Sequence, residues 1–277
     1  MLSVWNGSSP GPTTCEVGGD PPKTDARLNE SKGIMSNEPS DFSESGGRIL
    51  RHTERQRKSE PALGDEGNIE LIAAHIERHI GLPATVFHEL ISDLVHVDVH
   101  IVAPTEDRNH FTLVTSGMSD RPMTVPTDVP ELAHAELMLC LPPDWRRDEA
   151  DLKNELNYWP VRLLKFLARM PHEYETWLGQ GHTIPNGDPP EPLAEGTGFI
   201  GAMLGPSQLA PEEFDTLDAG GGKVINFYAV LPLYSEEMEF KLKKGSEALF
   251  EKLARNGITE LVDVHRKNVA KKRLGLF

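Results

Sequence analysis

The stretch 96–120, HVDVHIVAPTEDRNHFTLVTSGMSD, decides the fold. Its first part alternates: Val95, Val97, Val99 and Ile101 take one parity, and His96, Asp98 and His100 the other. Side chains in a strand repeat every two residues. The spacing therefore predicts a strand with one buried face and an imidazole–carboxylate–imidazole row on the opposite face. A polar turn with Arg108 and His110 follows. FTLVTSG, 111–117, reads as a second strand, with an exit through Thr115, Ser116, Gly117 and Met118.

Upstream, Ile69, Ile72, Ala73, Ile76 and Ile80 recur at helical spacing, and Gly81-Leu82-Pro83 ends the run. His75 and His79 share a face of that helix, predicted to be its polar one, and Glu77 between them stands at the wrong offset for an HExxH site. Downstream, AELMLCLP, 135–142, is short and apolar enough for a buried strand. Residues 148–178 are predicted helical, with Pro160 in the first turn of a second helix. KVINFYAVLPLY, 223–234, is the strongest strand, EEMEFKLKKG alternates like an edge strand, and SEALFEKLARNG reads as an amphipathic helix. Gly196-x-Gly198-x-x-Gly201 has the spacing of a dinucleotide fingerprint. It follows a proline-rich loop and precedes a strand, so that reading fails. Strands interleaved with helices give an α+β (α/β layered) domain, a mixed β-sheet covered by helices.

Residues 1–65 are rich in Gly, Pro, Ser and Asn and lack apolar periodicity, which predicts a disordered N-terminal extension before a single domain over 66–277. Met35 is a candidate start for the translated chain. The sequence has 277 residues and a formal net charge of -15. That charge argues against nucleic acid and anionic membranes as partners. No apolar run reaches the roughly 20 residues of a membrane helix, and no signal peptide is evident. Cys15 and Cys140 sit in unlike settings, so no disulfide is expected, and a cytoplasmic location follows.

HVDVHIVAP, LVTSGMSDRPM, ELMLCLP, YWPVRLLKFLARMP and INFYAVLPLYSEEMEFKLKKG, in that order, resemble the suppressor-of-fused domain, in its bacterial stand-alone type. The resemblance implies a non-enzymatic protein-binding domain. In the animal protein the related domain is half of a clamp that takes a short partner peptide as an added β-strand. Stand-alone bacterial relatives occur in toxin-immunity settings, which makes a toxin the expected protein partner. A second peptide-binding domain, as in the animal protein, is not expected here.

The candidate partner-binding residues are His96, Asp98, His100, Arg108, His110, Thr115, Ser116, Gly117 and Met118. No cofactor, metal or catalytic residue is expected. The alternative is a metal-dependent or acid/base enzyme centred on His96, Asp98 and His100, since imidazole and carboxylate bind zinc and a carboxylate orients a histidine. Against it, one strand supplies ligands from one direction only, and no activated Ser, Cys or Lys has a recognisable setting.

Overall fold

The computed structural model describes residues 13–17, 42–52, 54–89, 92–147 and 150–271. Ten strands form one sheet among them: β1 Thr13–Val17, β2 Arg48–His52, β3 Pro83–Phe87, β4 Asp98–Val102, β5 Phe111–Ser116, β6 His134–Leu141, β7 Thr183–Pro185, β8 Gly201–Gly205, β9 Thr216–Asp218 and β10 Val224–Leu233. The order is β2-β1-β7-β8-β10-β6-β5-β4-β3, with β9 also on β10. β10 runs parallel to β6 and antiparallel to β8 and β9; the other pairs are antiparallel. The sheet is therefore mixed, as expected.

Four α-helices accompany it: α1 Glu66–His79, α2 Glu155–Glu173, α3 Ser235–Lys244 and α4 Ser246–Ala254. Two apolar layers result. Val99, Ile101, Leu113 and Leu137 share one cluster with Trp159, Leu164 and Leu167 of α2. Val102, Val114 and Met138 share the other with Ile72 and Ile76 of α1 and Leu249 and Leu253 of α4. Helices thus cover both faces, and β4 and β5 are buried along their whole length. This corrects the expectation that the His96/Asp98/His100 parity faces outward: a second helical layer lies over that side.

α1 starts where Asp65 accepts the Asn68 N–H, a side-chain cap that satisfies an otherwise orphaned donor. His75 turns inward instead of lying on a polar face. It is buried, bonds the Phe214 carbonyl, and stacks on Phe214 and Phe227. α2 is one helix of 19 residues that carries Pro160 and Pro171 within it. Its cap is Asn154, six residues before the proline predicted to begin it. The Pro160 ring costs one helical bond, to the carbonyl of Leu156, and Leu156 lies on the exposed side.

EEMEFKLKKG is not a strand but α3. Two strands, β1 and β2, come from the stretch read as extension, and 54–65 is fastened to the domain: Gln56 N bonds the Glu173 carbonyl, Ala62 N the Ser92 carbonyl, and Arg55 pairs with Asp93. Main-chain pairing and ion pairs anchor this segment, which an apolar-periodicity criterion does not detect. Met35 lies outside the described residues. No described helix is long and apolar enough to cross a membrane.

Candidate functional site

Asp98, the first residue of β4, is a hub. Its Oδ2 lies 2.9 Å from His88 Nδ1, and its Oδ1 accepts from Glu89 N at 3.0 Å and pairs with His96 Nε2 at 3.0 Å. His96 Nδ1 lies 2.7 Å from Ser92 Oγ. With the Nε2 proton directed at Asp98, Nδ1 accepts from the serine, which gives a continuous Ser92–His96–Asp98 chain; the tautomer follows from the bonding network. Glu89 closes the same loop from the other side. Its carboxylate accepts from Val97 N at 3.2 Å and pairs with Lys165 and Arg169 of α2. His88, Glu89 and the segment 92–98 are thus tied to one another and to the helical layer.

His100 leaves this group. Its Nε2 bonds Ser116 Oγ at 2.9 Å on β5, and burial lowers its pKa, so the ring is held neutral. The predicted row therefore splits into two arrangements, His96–Asp98 and His100–Ser116. Among the described residues no group of three or more His, Cys, Asp or Glu is placed to hold a metal ion.

Thr115, Gly117, Met118 and Ser119 wrap a residue that the sequence reading passed over, Glu136 of β6. Its carboxylate accepts from Thr115 Oγ1 at 2.6 Å, Gly117 N at 2.9 Å, Ser119 N at 2.9 Å and Ser119 Oγ at 2.6 Å. Burial pushes its pKa up to about 7, against the pull of those donors. His172 Nε2 bonds the Met118 carbonyl and His134 Nδ1 the Ser119 carbonyl. Asp120 accepts from Asp65 N and Asn68 Nδ2, which docks α1 on the turn. A single glutamate inside the apolar run AELMLCL was the available signal: a strand buried on both faces admits a carboxylate only where donors await it.

Arg108 and His110 lie in the β4–β5 turn, at the opposite end of the hairpin from Asp98 and Ser116. Of the nine predicted site residues, Asp98, His100, Thr115, Ser116, Gly117 and Met118 are buried; His96, Arg108 and His110 keep partial exposure. The hairpin brings the predicted residues into three separate groups rather than one face.

The second accessible feature is backbone. β3 ends the sheet and pairs only with β4, over Pro83–Val102 to Phe87–Val99, with a register shift between Pro83 and Thr85. Ala84 and Thr85 are exposed. Its outer side presents main-chain donors and acceptors with no partner among the described residues.

A ten-stranded mixed sheet between helical layers, with its polar side chains spent on internal networks, defines an α+β protein of layered type. The family description "Suppressor of fused protein (SUFU)" matches residues 93–267, more than half of the chain, and the chain belongs to that family. A suppressor-of-fused homolog from Neisseria gonorrhoeae has the same fold, with TM-score 0.56 and 17% identity over 76% of this chain and all (100%) of that one. The Sufu–Fu complex structure gives TM-score 0.49 and 15% identity over 78% of this chain and 100% of the matched one. Drosophila Suppressor of Fused gives 0.49 and 13% over 76% of this chain and 52% of its own. No curated protein sequence matches the chain.

Proposed function

We propose that the chain is a non-catalytic protein-binding domain that sequesters a protein partner, with a toxin neutralised in the cytoplasm as the specific setting. Membership of the suppressor-of-fused family supports a binding role. The single observation behind the mode of binding is the open outer edge of β3, where an extended peptide has backbone groups to pair with. The formal charge of -15 suits a basic partner. Of the candidate recognition residues, His96, Arg108 and His110 remain accessible, and the buried six support the hairpin that carries them.

The test is capture of partners from the source organism with the full chain and with Thr85→Lys. Thr85 is exposed, so the variant folds, while a lysine on an open edge opposes strand addition. The expected result is one stoichiometric partner retained by the wild type and lost by the variant. Retention of the same partner by both would remove the edge from the proposal.

The Ser92–His96–Asp98 chain supports a second reading, acid/base chemistry at a serine. Covalent labelling of Ser92 by a fluorophosphonate, abolished in His96→Ala, would favour it; an unlabelled chain would dismiss it.

A further inference from the structure

Arg108 is a half-buried guanidinium with no carboxylate partner among the described residues. Its bonds go to neutral oxygens: Nη2 to the Ala103 carbonyl at 2.7 Å, and Nη1 to the His110 carbonyl at 3.2 Å and Thr112 Oγ1 at 2.9 Å. Guanidinium has five N–H donors, so two remain, the Nε–H among them. Burial lowers the Arg108 pKa, yet a guanidinium stays charged throughout the physiological range. Charge drawn out of water is ordinarily matched by an opposite charge.

The same side chain lines a pocket whose volume, about 40 Å³, has room for about three waters. His79, from the last turn of α1, and His110 line it too. Neither ring has a hydrogen-bond partner among the described residues, so each has a donor to offer. Thr112 and Cys140 line it as well, and the buried thiol is pushed far up and stays uncharged. The carboxylate closest in influence is Glu260, which acts on His110. Glu260 is already occupied by Ser207 Oγ, Gln208 N and Leu209 N. On a strongly acidic chain, three cationic or donor side chains thus converge on one small hollow.

We propose that this pocket binds a small oxyanion, a carboxylate or a phosphate, gripped by the free donors of Arg108 with His79 and His110 beside it. Arg108 presents a planar fork suited to two oxygens of one anion. The proposal is independent of strand addition at β3.

The experiment titrates the full chain with inorganic phosphate and, separately, with acetate, at constant ionic strength. Melting temperature and the histidine ring resonances are the readouts. One of the two anions is expected to raise the melting temperature saturably and to move the His79 and His110 resonances. The preferred anion distinguishes a phosphate from a carboxylate as the natural ligand group. Arg108→Met is expected to weaken binding about tenfold or more, the scale of a lost hydrogen bond to a charged group. Should that variant fail to fold, His110→Asn carries the test, since it leaves Arg108 in place and is expected to weaken binding several-fold. No saturable effect of either anion overturns the proposal. So does an equal effect in folded Arg108→Met, or a melting shift that leaves both histidine resonances unmoved.

Discussion

A β-carbon on residue 117 would lie 1.7 Å from the carbonyl oxygen of His96. Gly117 therefore does two things that no other residue could. It takes φ +103, in the region that side chains avoid, and it lets the chain before β4 touch the exit of β5. Gly117→Ala must move backbone in both segments, and a cost above about 3 kcal/mol is expected from denaturant unfolding. Gly222→Ala is the control. It has φ +85 but open space around it, and a cost of about 1 kcal/mol is expected.

The buried titratable groups give opposed pH dependences. Glu136 is raised from 4.5 to about 7, so its protonated form is favoured by folding; its contribution is full below pH 4.5 and is lost as pH rises to 7. His172 and His182 are lowered from 6.5 to about 4 and about 3 by burial; their contribution is full above 6.5 and is lost as pH falls through those values. Between pH 4.5 and 6.5 the effects oppose one another. Glu136→Gln is expected to tilt the profile toward the histidine trend, so that stability rises more steeply with pH across this window than in the wild type. Relative to the wild type, the variant gains on the order of 3 kcal/mol between pH 4.5 and neutral pH, the contribution that Glu136 loses there. Melting curves from pH 4 to 8 check this, and an unchanged profile in the variant would contradict it.

Glu237 and Arg266 form a bidentate pair, at 2.7 and 2.6 Å, with side-chain exposures of 0% and 8%. Arg266→Met leaves a buried carboxylate whose remaining partners among the described residues are the N–H groups of Tyr234 and Val269, and a loss of about 3–5 kcal/mol in urea unfolding is expected. Glu237→Gln combined with Arg266→Met is expected to recover much of that, because the uncompensated charge is gone.

Asp98→Ala would strip partners from His88, His96 and Glu89 N at once. A loss of about 2–3 kcal/mol is expected, with faster amide exchange across 88–97. If the carboxylate serves chemistry rather than the loop, stability will barely change.

β4, β5 and β10 were legible because β-branched and aromatic residues dominate them, and β6 because it is a short apolar run closed by prolines. The failures share a cause. In α3 the buried positions are Glu237 and Lys241, four apart, while Met238, Phe240 and Leu242 alternate. A two-residue period was on view, but the inward helical stripe was polar and looked like surface. The same blindness hid Glu136, and it made His100 and Ser116 look like recognition residues. Alternation tells which residues share a face of a strand, not whether a second helical layer covers it. Arg266 is a tether whose partner, Glu237, no local pattern reveals.

The placement of β10 constrains how a ribosome can deliver this protein. β10 joins β6 to β8 at the middle of the sheet, yet it spans residues 224–233 and leaves the tunnel after the other nine described strands. Until then the β3–β6 half and the β7–β8 half have no common strand. Each exposes a raw apolar margin during translation, open to aggregation or to a chaperone. A stop codon or a long pause just before residue 224 would therefore strand two half-sheets rather than yield a shorter folded domain.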